Sequence, residues 1–188
     1  MKNVQIILIT GGSGSGKSEF ATWYKNALVI ELDSFYRPLK DVPKDGSGNY
    51  DFDTPEAVNI AECAQMVDEL LKTKKSTIPL YDMKKNERTG RKTITIGNDI
   101  KFIIVEGIFS FYSPLRELAD LKVFLDTPTE VRVSRRMIRD VKRKGKSNLE
   151  IMANFINIEK SYKKYIEPMK KYADLIIPFS YNPVQFMK

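Results

Sequence analysis

The chain has 188 residues, 42% of them apolar, which suits one compact domain with a full hydrophobic core. It contains no histidine and a single cysteine, which excludes Ser-His and Cys-His nucleophilic mechanisms, histidine-bound zinc, multi-thiolate metal sites and an internal disulfide. The net charge of +7 suits an acidic partner such as nucleic acid, an anionic membrane surface or a phosphate-rich nucleotide, and catalysis is left to carboxylates, lysine, arginine or bound metal.

Three residues precede the first apolar run, too few for a signal-peptide core, and no apolar stretch approaches a membrane span, so a cytoplasmic location is expected. Residues 4–10 form a short, nearly continuous apolar run rich in β-branched side chains, the pattern of a strand buried on both faces of a parallel sheet. Directly after it, Gly11, Gly12, Ser13, Gly14, Ser15, Gly16, Lys17 and Ser18 match the phosphate-binding loop pattern G-x4-G-K-[ST], placed between a strand and a helix as the mechanism requires. Glycines let the backbone N–H groups wrap phosphates, Lys17 is positioned for the β and γ phosphates, and the Ser18 hydroxyl for Mg²⁺. The helix that follows is expected to be short, because the next strand pattern begins at Ala27.

That second run, residues 27–32, ends at Asp33. Residues 40–53 contain Pro43, Gly46 and Gly48 and read as a long surface loop of the kind that often carries function. Thr54 and Pro55 supply a cap and a first helical position, and Ala57, Ile60, Ala61, Ala64, Val67 and Leu71 form one apolar stripe, so a helix is expected from Pro55. Cys63 falls on its apolar side and reads as core. A small β-hairpin insertion is expected over about 78–97, with strands at 78–81 and 93–96 and a turn through 84–92.

A third strand, residues 102–105, ends at Glu106 before Gly107. In an open parallel sheet the ligand crevice lies outside the carboxyl ends of the strands, so Asp33 and Glu106 can both face a γ-phosphate. Either can orient Mg²⁺ or accept a proton from an attacking hydroxyl. After the strand at 121–125, helices are expected from Thr127 and from Ser147, both with capping-box spacing. On the first, Arg132, Arg136, Arg139 and Arg143 share one face, with Val131, Ser134, Ile138 and Val141 on the other and Lys142, Lys144 and Lys146 around Gly145. Beside a phosphate loop this reads as a helical lid over 132–147 whose arginines neutralise phosphoryl charge. A last strand lies at 175–177. Strands alternating with helices imply an α/β fold with a mainly parallel sheet flanked by helices, in a single domain over 1–188.

Taken with the phosphate loop, seven blocks in order resemble the uridine (uridine–cytidine) kinases within the phosphoribulokinase-like group of P-loop kinases. The others are Asp33 to Tyr36, Tyr50 to Pro55, Ile78 to Asp82, Glu106 to Ile108, Ser134 to Asp140 and Lys171 to Asp174. The resemblance implies a P-loop NTPase fold and phosphoryl transfer from ATP or GTP to the 5′-hydroxyl of uridine or cytidine. It gives Asp33 the role of general base, Asp53 and Arg136 contacts to the ribose hydroxyls, and Phe52 and Tyr81 the walls of the nucleoside pocket, with Tyr36 among the substrate contacts. Arg139 resembles a lid arginine near the phosphates, and Ser18 with Glu106 is the candidate metal pair. Where many family members carry a base-reading histidine, this chain has Lys84, Lys85, Asn86 and Arg88, and Met83 replaces an aromatic. Asn86 has an amide able to bond a base edge, and Arg88 is a second candidate contact. Family members are often tetramers, so a homo-oligomer is expected, with no membrane or nucleic-acid partner. Two other readings stand beside this one. One is a P-loop kinase of another small hydroxylated metabolite, and the other is a nucleotide-binding regulator whose basic helix faces nucleic acid.

Overall fold

The computed structural model describes residues 4–144 and 148–179, with the side chains of 140–144 and 148–154 left aside. In chain order the elements are β1 (Gln5–Gly11), α1 (Lys17–Thr22), β2 (Ala27–Glu31), α2 (Ile60–Thr73), β3 (Lys75–Asp82), β4 (Glu87–Thr95), β5 (Phe102–Glu106), β6 (Leu121–Asp126), α3 (Thr129–Lys144), α4 (Asn148–Ser161) and β7 (Leu175–Pro178). Five strands form a parallel sheet in the order β2-β5-β1-β6-β7, and β3 pairs with β4 as a separate antiparallel hairpin.

The continuous apolar runs arise because the sheet is covered on both sides. Along β1, Ile6 and Leu8 join Ile30, Ile103, Val105 and Phe124 beneath Cys63, Val67 and Leu70 of α2. The alternate residues Ile7 and Ile9 pack with Ile104, Val123, Leu125 and Ala21 of α1 on the opposite face. This is the two-residue period of a strand with both faces buried. At roughly 1.5–3 kcal/mol for each large apolar side chain removed from water, these two layers are the main source of stability. Register then fixes the site: Ile9 lies opposite Glu106 on β5 and Val123 on β6, so the carboxyl ends of β1, β2 and β5 finish together.

Two local expectations are corrected. The helix does not begin at Pro55. Pro55–Ala57 makes one 3₁₀ turn, and Val58 is extended and pairs with Tyr36 in an isolated antiparallel bridge. α2 starts at Ile60, where the Asn59 side chain accepts from the Glu62 N–H at 3.2 Å, while the Thr54 hydroxyl bonds Glu56 instead of capping. The buried stripe therefore runs through Ile60, Cys63, Ala64, Met66, Val67 and Leu70, whereas Ala61 is exposed and Leu71 half-buried. The hairpin strands are also longer than expected and their connection is confined to 83–86, because β4 already begins at Glu87. Asp82 accepts from the N–H groups of Lys84 and Lys85 at 2.8 and 3.2 Å, and Asn86 adopts a left-handed φ of 54°, turn chemistry that closes the loop early. The expected capping box at Ser147 and the residues Gly145 and Lys146 lie outside the described residues.

Candidate active site

β1 leads into the phosphate loop, which turns back into α1 at Gly16. Gly14 and Gly16 have φ of 84° and 97°, a left-handed backbone that glycine adopts without strain. The loop is closed by Ser15 N–H donating to Gly12 O at 3.0 Å. The Thr127 hydroxyl, expected to cap α3, donates instead to Ser15 O at 3.2 Å.

Lys17 is buried, and its Nζ donates to Gly11 O and Gly12 O at 3.1 Å each. Burial holds its pKa below the ordinary 10.5, with Glu106 and then Asp33 opposing. The ammonium is thus poorly hydrated and held by two neutral carbonyls, a state from which phosphate oxygens are stronger partners. The Ser18 hydroxyl donates to Glu106 Oε1 at 2.7 Å. Burial pushes the Glu106 carboxyl above its ordinary 4.5, against the pull of Lys17 and the Ser18 bond.

Two cavities meet in front of the strand ends. The smaller, about 240 Å³, is lined by the phosphate loop, Lys17, Ser18, Asp33, Glu106 and Arg135, Arg136 and Arg139 of α3. The larger, about 810 Å³, runs from Asp33 past Tyr36, Phe52, Asp53 and Asn86 to the loop at 45–51 and to Asn157, Lys160 and Ser161 of α4. Ser13, Asp33, Ile108, Arg136 and Arg139 line both. Tyr36 is buried between the carboxylates: burial first, then Asp33 and Asp53, push its phenol well above the ordinary 10.0. Its ring packs on those of Phe52 and Tyr81 at centroid distances of 5.9 and 5.8 Å.

The arginines of α3 divide differently from the expected face. Arg132 is 1% exposed and turned away from both cavities. It donates to Thr127 O at 3.1 Å and pairs with Glu159 at 2.8 Å, its guanidinium 4.1 Å from the centre of the Tyr162 ring. Arg135 takes the place expected of Arg132 and donates to Gly14 O and Ser15 O at 3.4 and 3.2 Å. Arg136 bonds the Ser13 hydroxyl. Ile138, assigned to the opposite face, is 62% exposed, and the side chains of Val141, Lys142, Arg143 and Lys144 lie outside the described residues.

The structure therefore brings Ser13, Gly14, Gly16, Lys17, Ser18, Asp33, Glu106, Arg136 and Arg139 to the small cavity, and Tyr36, Phe52, Asp53 and Asn86 to the large one. Five expected residues line neither: Gly11, Gly12 and Ser15 are buried in the loop, and Tyr81 and Arg88 are turned to other partners. Tyr81 stands behind Tyr36, and Arg88 is consumed by the carbonyls of Phe35 and Tyr36 and by Glu62. The residues missed from sequence are Arg135, Ile108, Asp45, Asp51 and the α4 group around Lys160. Helical spacing alone could have found Arg135, which lies three residues after Arg132 and four before Arg139. Nothing local marks the α4 residues, which arrive only through the packing of α4 against α3. Among the described residues, no helix is long and apolar enough to cross a membrane.

Comparison with known proteins agrees with this geometry. The family model described as Phosphoribulokinase / Uridine kinase family matches residues 6–183. Uridine-cytidine kinase B of Dictyostelium discoideum is 37% identical over 185 residues, spanning 94% of this chain and 75% of that protein. A uridine kinase of Streptococcus equi subsp. zooepidemicus is 34% identical over 186 residues, spanning 95% of this chain and 88% of the relative. The structure of phosphoribulokinase from Rhodobacter spheroides, at 19% identity, has a TM-score of 0.66 over 95% of this chain and 71% of its own, which shows the shared fold. With its phosphate loop, parallel sheet and arginine-bearing α3 in place, the chain belongs to the phosphoribulokinase/uridine kinase family.

Proposed function

We propose that the protein is a nucleoside kinase that transfers the γ-phosphoryl group of ATP to the 5′-hydroxyl of uridine or cytidine. The observation that carries this reading is that Asp33 lines both cavities. A carboxylate there can accept a proton from an acceptor hydroxyl in the large cavity while the γ-phosphate lies in the small one. The hydroxyl oxygen attacks the γ-phosphorus, the bond to the β–γ bridging oxygen breaks, and Asp33 takes the hydroxyl proton. Lys17 and Arg136, with Arg139, neutralise the charge spread over the phosphoryl oxygens. Tyr36 and Phe52 wall the nucleoside, and Asp53 and Arg136 hold the ribose hydroxyls.

Ser18 and Glu106 fit Mg²⁺. Two hard oxygen donors stand 2.7 Å apart, and among the described residues no group of three or more acidic or thiolate side chains gathers as a dedicated metal cage. That suits an ion that keeps waters and phosphate oxygens in its shell. Bound there, Mg²⁺ supplies positive charge to the phosphates.

The charge of the large cavity favours a neutral acceptor over a phosphorylated sugar. Among the described residues, beyond the shared Asp33, Arg136 and Arg139, its lining carries Asp45, Asp51 and Asp53 against one lysine, Lys160, so an acceptor bearing a second phosphate meets like charge at its far end. The regulator reading loses its support at the same point. Among the described side chains of α3, Arg132 is buried, and Arg135, Arg136 and Arg139 line the phosphate cavity, so these four offer no patch to a nucleic-acid backbone.

Initial rates with ATP and Mg²⁺ on a panel of uridine, cytidine, purine nucleosides, pantothenate and sugar phosphates test the reading. Turnover of the pyrimidine nucleosides and silence with the phosphorylated sugars is expected. Turnover of a sugar phosphate in preference to every nucleoside would overturn it.

A further inference from the structure

β2 ends at Glu31, and the residues that follow leave the sheet. Asp33 and Tyr36 therefore stand outside the parallel sheet, on a segment joined to the chain before α2 by the Tyr36–Val58 bridge, in which Arg37 N–H donates to Ala57 O at 2.9 Å. The segment makes one 3₁₀ turn over Leu32–Phe35, closed by a long bond from Tyr36 N–H to Asp33 O at 3.4 Å. What holds it comes from elsewhere in the chain. The Arg88 guanidinium, half-buried on β4, donates through Nε to Tyr36 O at 3.0 Å and through one amino group to Phe35 O at 3.1 Å. Its other amino group pairs with Glu62 Oε2 at 2.7 Å.

Glu62 is itself fixed on three sides. Its Oε1 accepts from Arg91 at 2.7 Å, its Oε2 also accepts from Asn59 Nδ2 at 3.1 Å, and its N–H closes the cap of α2. Asn59 N–H donates to Phe35 O at 2.9 Å, so the same carbonyl is held from α2 and from the hairpin. Lysine has no planar fork with which to bind two carbonyls and a carboxylate at once.

We infer that Arg88, braced by Glu62, is a positioning residue that sets the segment carrying Asp33 and Tyr36 against the acceptor cavity. The brace acts on the acceptor side alone, because none of its bonds reaches the phosphate loop. This inference rests on the reading of Asp33 given above.

The test uses the full chain with Arg88→Lys, Arg88→Ala and Glu62→Gln, each varied against ATP and against uridine. Displacing a reacting group by about 1 Å costs on the order of a hundredfold in rate. Arg88→Ala is therefore expected to lower kcat and raise the uridine KM, each by tenfold or more on the order set by that displacement, with the ATP KM unchanged. Arg88→Lys and Glu62→Gln should show the same split at smaller size, and they carry the test if Arg88→Ala does not fold. Equal rises in both KM values, or no change in the uridine KM and kcat, would overturn the brace. Amide exchange separates this outcome from failure of the functional reading. If the wild-type chain phosphorylates no nucleoside, that reading falls, and the brace is then decided by the Tyr36 and Arg37 amides. Loss of protection there in Arg88→Lys, with α1 and β1 unchanged, supports it, and unchanged protection overturns it.

Discussion

Arg132 of α3 and Glu159 of α4 form an ion pair at 2.8 Å in which the arginine is 1% exposed. The pair locks the two helices together directly behind the phosphate loop: a Cβ on Gly12 would stand 2.7 Å from an Arg132 guanidinium nitrogen. Removing one partner of such a pair strands the other charge in a poorly solvated place. Because the Glu159 side chain keeps 18% of its surface in water, the expected cost of Glu159→Gln is about 2–3 kcal/mol, below the full penalty of a completely buried pair. Urea unfolding of the wild type and the variant measures it.

The same packing makes Gly14 intolerant of a side chain. Its φ is 84°, and a Cβ would lie 2.7 Å from the Arg132 carbonyl oxygen. Gly14→Ala should lose on the order of 1–2 kcal/mol for the left-handed backbone alone. The clash with Arg132 adds to that loss. Thermal unfolding with and without ATP should show a lower Tm and a smaller stabilisation by the nucleotide.

Acid stability follows from Glu62. Burial alone would raise its carboxyl, but hydrogen bonds from Arg91 and Arg88 outweigh it and hold the group below its ordinary 4.5. A carboxylate depressed in the folded state adds stability that is complete above its unfolded pKa and is lost as pH falls through the lower folded value. The wild type should therefore lose stability below about pH 4.5 more steeply than Glu62→Gln, and above that pH the gap between the two should be constant. Denaturant midpoints over a pH series check the sign.

Cys63 lies fully buried on the core face of α2, and burial pushes its thiol well above the ordinary 9.0. Thiolate is the reactive form, so the native chain should resist a thiol reagent at neutral pH and react in full once unfolded in urea. Rapid labelling of the folded chain would contradict this placement.

What sequence could reach was set by how local each signal is. The phosphate loop, the strand-end carboxylates Asp33 and Glu106 and the two-sided apolar strands are all written within a few neighbouring residues, and the fold confirms their juxtaposition. Thr54 and Pro55 carry good local start signals, yet α2 begins later because Val58 is drawn into a bridge with Tyr36 and Asn59 supplies the cap. The hydrogen-bond partners of Arg88, the carbonyls of Phe35 and Tyr36, lie 53 and 52 residues earlier in the chain, beyond any local signal. Arg132 shows the same limit: helical spacing gives a face, but only the packing of α4 decides which part of that face is buried.

The most direct measurement is the initial rate of UMP formation from ATP, Mg²⁺ and uridine by the wild type and by Asp33→Asn, with the KM for ATP followed in both. Loss of the base should cut kcat by about 10²–10⁴-fold with the ATP KM little changed, since Lys17 and the phosphate loop are untouched. A variant that forms UMP at a rate close to the wild type would show that the proton goes elsewhere and would contradict the role given to Asp33.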